Sequence, residues 1–94
     1  METIQDHADQ AREALERGHA TSFLRITYHH WREAGARAAF TESVRAAAQN
    51  LATRGETQRL AALYTTVSAA PPWARAVKEG VAAAAAAHPL PLAA

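Results

Sequence analysis

The chain has 94 residues, a formal charge of +1 and no cysteine. This length suits a single domain, and the lack of cysteine excludes a disulfide-stapled miniprotein and a cysteine-based metal finger. The hydrophobic content of 49% comprises 26 alanines and only 20 larger apolar residues. Methyl-sized side chains bury little area, so the composition predicts a thin core that a second copy or a partner protein helps to cover.

Several broad classes of protein are disfavoured by the same composition. No stretch approaches the roughly 20 apolar residues of a membrane span, and the N-terminus lacks the basic and apolar regions of a secretory signal. We therefore expect a cytoplasmic protein without a membrane partner. The excess of alanine, with nine arginines among ten basic residues, suggests a bacterial source. The sequence has no glycine-rich phosphate loop and no Gly-x-Ser-x-Gly motif, so nothing indicates an enzyme, and we expect no cofactor.

The first predicted helix covers residues 3–17. Thr3 and Asp6 have the spacing of a capping box, and Gly18 suits the position just after a helix. Apolar residues recur at spacings of four, three and four, which places them on one face: Ile4, Ala8, Ala11 and Leu15.

The next two helices are predicted at 21–34 and 37–54. Thr21 or Ser22 is the expected N-cap of the second helix. Its apolar stripe comprises Leu24, Tyr28, Trp31 and Gly35, and that of the third helix comprises Phe40, Val44, Ala47 and Leu51. The two stripes are out of phase by about two residues, and glycine is unfavourable inside a helix. We therefore expect a break near Gly35.

Two more helices are predicted at 57–69 and 72–87. Leu60, Leu63, Tyr64 and Val67 line the fourth helix, and Trp73, Val77, Val81 and Ala84 line the fifth. The proline pair at 71–72 ends one helix and suits the first turn of the next. The predicted fold is therefore a compact all-α bundle of four to five short antiparallel helices, with one domain at 1–88 and a flexible tail at 89–94.

Charge is distributed unevenly along the chain. Residues 1–16 contain five acids and one arginine, whereas the segment 17–32 contains three arginines and no acid. One interpretation is that the acidic first helix packs beside the basic second helix and their fields cancel. The other is that a basic stretch comprising Arg25, His29, Arg32 and Arg37 faces an anionic partner.

The favoured function is a small non-catalytic module for protein–protein interaction. Adaptors, accessory subunits, antitoxins and immunity-type proteins belong to this class, and the partner is another protein or a second copy of the chain. Tryptophan, tyrosine and arginine are over-represented where interfaces gain most of their energy. The predicted partner-binding residues are Arg25, Tyr28, Trp31, Arg32, Trp73 and Val77.

An alternative function is DNA binding through a helix-turn-helix-like segment at 51–68. Gly55 would occupy the turn, and Thr57, Gln58 and Arg59 would begin the recognition helix. The sequence pI of about 8.3 is mild for a nucleic-acid module, and the bulky Leu51 suits a tight helix crossing poorly. DNA binding is therefore possible but not favoured.

A second alternative is a metal or phosphoryl site at His29 and His30. His29 and Glu33 are four residues apart, a spacing that can serve one metal ion from a single helix, although further ligands are needed. An exposed histidine also occurs in helical phosphotransfer proteins. In this sequence Glu33 would repel an incoming phosphoryl group, so both possibilities rank below an interaction function.

Overall fold

The computed structural model describes residues 2–87, which form a compact all-α bundle without strands. The five helices are α1 (Ile4–Glu16), α2 (Ala20–His30), α3 (Ala36–Thr53), α4 (Thr57–Val67) and α5 (Pro71–Ala87). The predicted fold class is thus confirmed. The predicted tail at 89–94 lies outside the described residues. None of the described helices has the length and hydropathy needed to cross a membrane.

Helix α1 begins with the predicted capping box. The Asp6 amide donates to the Thr3 hydroxyl over 3.3 Å, and the Thr3 amide donates to the Asp6 carboxylate over 2.8 Å. The backbone hydrogen bond from Thr3 is the main cause that lowers the pKa of Asp6. The box therefore satisfies two exposed donors and favours the charged carboxylate at the positive end of the helix.

Glycine ends α1 as the sequence predicts. Gly18 has φ +79°, and the chain closes a Schellman motif in which the His19 amide donates to the Ala14 carbonyl oxygen over 2.8 Å. Gly55 has φ +70° and does the same at the end of α3. Side chains other than glycine adopt this backbone conformation at a cost, so both turns depend on glycine.

Helix α2 differs from its prediction in boundaries and in orientation. It ends at His30, and its N-cap is His19, which makes no side-chain capping bond; the expected caps Thr21 and Ser22 were wrong. Tyr28 was predicted on the inward stripe, yet it is 79% exposed. Phe23 and Thr27 are buried instead. Relative to the prediction, the helix is rotated about its axis by about one residue, and this rotation places the Phe23 ring in the core.

The predicted break at Gly35 is present. Gly35 has φ +77° and is the N-cap of α3. The α3 stripe is fully buried as predicted, at Phe40, Val44, Ala47 and Leu51. Since α2 and α3 are separate helices, each can direct its own face to the core, which explains the phase shift between their stripes.

Helix α3 lies at the centre and packs against α1, α4 and α5. The Ser43 hydroxyl donates to the Ala8 carbonyl oxygen over 2.7 Å, and Asn50 donates to Glu16 over 2.9 Å. These two bonds show that α1 and α3 run in the same direction. Helix α2 returns the chain between them and packs along α1, which agrees with the expected antiparallel neighbours.

The contact between α3 and α5 is the most extensive in the bundle, and small residues make it possible. A Cβ atom on Gly80 would clash with the Arg45 carbonyl oxygen and would lie 2.9 Å from the Gln49 amide nitrogen and 3.0 Å from the Ala48 Cβ. The two backbones therefore approach too closely for any side chain at position 80. The buried alanines of these two helices, among them Ala47, Ala48 and Ala76, thus serve close helix packing.

The charge asymmetry is resolved only partly by packing. Helices α1 and α2 are neighbours, as one interpretation expected. Within residues 2–87, however, no ion pair joins an acid of α1 to an arginine of α2; Glu16 pairs with Arg12 in its own helix and with Arg54 after α3. The arginines of the segment 17–32 thus form no ion pair with an acid among the described residues, whereas His30 at the end of α2 contacts Glu33.

Candidate functional site

An open groove of about 520 Å³ lies between α2, the start of α3 and the start of α5. We call it the aromatic groove. Its lining residues are Leu24, Thr27, Tyr28, Trp31, Arg37, Thr41, Ala70, Pro72 and Trp73. The proline pair begins α5 at this point, and the turn at 31–35 brings the two tryptophans together from distant parts of the sequence. The groove is therefore a product of tertiary structure.

Four aromatic rings form a continuous cluster beneath and along the aromatic groove. Trp31 and Trp73 meet edge to face at 5.9 Å between ring centroids, an arrangement that aromatic pairs favour. Trp73 also contacts Phe23 at 5.1 Å, and Trp31 stacks on Phe40 at 6.5 Å. The phenylalanines are buried and the indoles are half-buried. Each indole thus has one side anchored in the core and another facing the groove.

Thr27 brings an unpartnered hydroxyl to the groove. Its side chain is only 3% exposed, and its Oγ1 atom has no hydrogen-bond partner. Thr41, Thr65 and Thr66 each donate to the carbonyl oxygen four residues earlier, which is the usual solution for a threonine inside a helix. A buried hydroxyl without a partner costs free energy, so Thr27 is a locally unfavourable point in the lining of the groove.

Positive charge lies at one edge of the aromatic groove. The Arg37 guanidinium lies 5.7 Å from the Trp31 ring centroid, within the range of a cation–π contact. Arg25 and Arg32 are exposed and lie near Tyr28 on the surface of α2 and the turn after it. None of these three arginines forms an ion pair with any residue in 2–87. The groove is apolar inside and cationic at its edge.

Of the six predicted partner-binding residues, the structure brings three together: Tyr28, Trp31 and Trp73 line the aromatic groove. Arg25 and Arg32 are exposed and lie within four residues of Tyr28 in the sequence, but they are not part of the lining. Val77 does not belong to this surface, because it is 4% exposed and packs in the core. Sequence reasoning missed Thr27, whose missing hydrogen bond has no signal in the sequence. It named Arg37 only as part of the basic stretch.

A cluster of imidazole and carboxylate groups lies beside the groove. The His7 and His30 rings stack at 3.5 Å between centroids, and His30 also bonds through Nδ1 to Glu33. His29, a predicted metal ligand, is exposed and is not part of the set. The third potential ligand beside His30 and Glu33 is therefore His7 and not His29. His7 belongs to α1, so no local spacing in the sequence could indicate it. The neighbouring Glu33 carboxylate is an unfavourable companion for phosphoryl transfer to His30.

Glu16 is a polar centre at the opposite end of the bundle that sequence reasoning missed. Its carboxylate is mostly buried and accepts from Arg12 at 2.6 Å, Asn50 at 2.9 Å and Arg54 at 3.0 Å. Burial acts to raise the pKa of Glu16, but the hydrogen bonds from Asn50, Arg12 and Arg54 together outweigh burial and hold the pKa below its ordinary value. This network joins α1 to α3 and has a structural role.

The residues of the DNA-binding alternative lie at the start of α4. Thr57 and Gln58 are exposed. Arg59 donates to the Glu16 carbonyl oxygen over 3.1 Å and lies 3.8 Å from the Glu56 carboxylate. An arginine held by these acceptors is less available to a phosphate, and the adjacent acids repel a nucleic acid. The geometry adds no support to this alternative.

Comparisons with known proteins gave no family: no family model matches the chain, and no curated protein or solved structure gave a significant match.

Proposed function

We propose that this protein is a small non-catalytic interaction module that binds a segment of another protein in the aromatic groove. The occupant carries a large apolar side chain that packs against Trp31 and Trp73, with a carboxylate nearby that pairs with Arg37. The observation that carries this proposal is an open groove with two half-buried indoles on its walls, an unpartnered hydroxyl in its lining and unpaired arginines at its edge.

The shape and chemistry of the groove favour a peptide-like occupant. Interface hot spots combine aromatic anchors with a rim that excludes water, and Trp, Tyr and Arg are the enriched residues. The aromatic groove presents all three types. The Thr27 hydroxyl is buried in the groove lining, so its side chain would have to rearrange before it could form a hydrogen bond with the partner.

Charge complementarity favours an acidic partner. Arg25, Arg32 and Arg37 have no ion-pair partners among the described residues, and no acid lines the groove. Opposite charges across an interface increase the association rate and exclude wrong partners, even where they add little affinity. An acidic residue beside the apolar anchor is therefore the expected signature of the partner.

The test is a selection from a random peptide library displayed against the purified full chain. We expect recovered peptides to share a large apolar residue next to Asp or Glu. Tyr28→Ala should weaken their binding by more than about 1 kcal/mol, roughly fivefold, as for a hot-spot residue. Arg37→Glu should weaken it by about tenfold or more, because it places like charges together. Isothermal titration calorimetry measures both changes.

Arg17→Glu is the matched control, because Arg17 is also exposed and lies at the opposite end of the bundle, beside Arg54. It should leave peptide affinity unchanged. The proposal is wrong if no peptide is enriched or if the enriched peptides bind the Tyr28 and Arg37 variants as tightly as the original protein. Sedimentation that shows a dimer dissociated by Tyr28→Ala would also overturn it, since the occupant would then be a second copy.

A further inference from the structure

Three potential metal ligands from two separate parts of the chain meet where α1 starts and α2 ends. They are His7 in α1, His30 as the last residue of α2 and Glu33 in the following turn. One ligand atom from each lies within 4.8 Å of the other two. Helices α1 and α2 are antiparallel neighbours. Their packing brings His7 close to His30 and Glu33, although both residues lie more than 20 positions later in the sequence.

A second carboxylate lies behind the cluster. The Glu2 Oε2 atom is 3.4 Å from His7 Nδ1. A carboxylate that accepts a hydrogen bond from one ring nitrogen of a histidine leaves the other nitrogen free to bind a metal ion and strengthens it as a ligand. The two groups do not form a hydrogen bond in this structure, but Glu2 is close enough to become such an outer partner once the His7 ring turns.

We propose that His7, His30 and Glu33 form a site for a divalent transition-metal ion, with Zn²⁺ as the expected ion. Two imidazoles and one carboxylate are ligands that Zn²⁺ accepts, with water in the fourth position of a tetrahedron. Ligands of this kind do not suit Mg²⁺ or Ca²⁺, which prefer sites made of oxygen atoms. None of the three ligands lines the aromatic groove.

Binding requires a small local rearrangement. The two imidazole rings are nearly parallel, with 15° between their planes, so their in-plane lone pairs do not yet converge. One ring must turn about its Cβ–Cγ bond, and the ion then takes the place of the direct contact between His30 and Glu33. Both side chains keep some contact with solvent, at 12% exposure for His7 and 18% for His30.

The ion would join two elements and act on the adjacent groove. His7 belongs to α1, whereas His30 immediately precedes Trp31, a wall of the aromatic groove. Binding should therefore hold the end of α2 against α1 and alter the surroundings of the Trp31 indole. Zinc would stabilise the folded chain, because the unfolded chain lacks the assembled ligands.

The experiment titrates ZnCl2 into the metal-free full chain and follows heat, thermal unfolding and tryptophan fluorescence. We expect one ion per chain, a higher Tm and a change in indole emission. His7→Gln and His30→Gln should each weaken zinc binding by more than the roughly 10–100-fold that loss of an outer-shell partner costs. Glu2→Gln should fall within that outer-shell range. Replacement of Zn²⁺ by Co²⁺ should give the visible absorption of a tetrahedral site.

The chain contains its own control in the remaining histidines. A variant with His19→Gln, His29→Gln and His88→Gln keeps the proposed ligands and should bind zinc as the original protein does. Glu33→Gln tests the third ligand, and because Glu33 lies in a turn, this change leaves helix packing intact. Circular dichroism checks the fold of every variant. The proposal fails if zinc does not bind, if binding survives loss of His7 and His30, or if the triple variant loses it.

Discussion

Glu16 shows how one buried carboxylate can connect distant helices. Its hydrogen bonds to Arg12, Asn50 and Arg54 offset the cost of burying its charge. Nothing in the sequence distinguishes this residue from the other four acids near the N-terminus. Its role arises because the parallel packing of α1 and α3 brings their C-terminal ends together.

This arrangement predicts a specific acid sensitivity. A carboxyl group with a folded pKa below its unfolded value near 4.5 stabilises the fold above that value, and the contribution is lost as pH falls through the lower folded pKa. Glu16→Gln should lower the free energy of unfolding at neutral pH by about 1.5–3 kcal/mol, because charge-assisted hydrogen bonds are lost. It should also make the fall in Tm below about pH 4.5 shallower.

Thermal unfolding followed by circular dichroism across this pH range measures both effects. Asp6 and Glu42 also have lowered pKa values and titrate in both proteins, so the slope should decrease without vanishing. Glu13→Gln, on the exposed side of the same helix, is the control and should keep the original profile. An unchanged slope in the Glu16 variant would contradict the role assigned to its carboxylate.

At the scale of helices, the α3–α5 contact depends on the absence of a side chain at position 80. Gly80→Ala improves helix propensity by about 1 kcal/mol, yet the new methyl group would overlap the backbone of α3. Overpacking of this kind typically costs about 1–3 kcal/mol and occasionally more. We therefore expect Gly80→Ala to destabilise the protein despite its better propensity.

Chemical denaturation measures this change, and Ala82→Gly calibrates it. Ala82 is exposed on the same helix, so its replacement should cost only the propensity difference of about 1 kcal/mol. A Gly80→Ala variant more stable than the original protein would show that α3 and α5 can separate without loss. Close backbone approach would then no longer explain why small residues are abundant between these helices.

At the scale of the whole molecule, stability should be uneven among the helices. Helix α3 packs against three others and contains the fully buried Phe40, Val44 and Leu51, whereas α4 packs less extensively and is more exposed. Amides in regions of dense packing open only with the whole fold, and those in loosely packed regions open locally. Hydrogen exchange should therefore be slowest in α3 and faster in α4.

Mass spectrometry or NMR of the full chain in deuterated water checks this order. The C-terminal half of α3, around Ala47 and Ala48, should retain its hydrogens longest because α5 covers it closely. The opposite order, with α4 exchanging more slowly than α3, would mean that another contact covers α4 in solution. The main interaction surface would then include α4 and not only the aromatic groove.

Local sequence determined most of the secondary structure. The capping box at Thr3 and Asp6, the glycine turns at Gly18 and Gly35 and the proline start of α5 depend on a few adjacent residues, and all are present. The inward face of α3 was also readable, because its four apolar residues recur at helical spacing and leave one possible core face.

Tertiary structure decided the rest. The orientation of α2 was misjudged because Phe23 and Tyr28 compete for the interior, and only packing against α1 and Trp73 selects Phe23. The aromatic groove, the Glu16 network and the cluster around His7 each join residues from different helices. Their spacing in the sequence is not periodic, so no local pattern can reveal them; they exist because the helices pack in this particular arrangement.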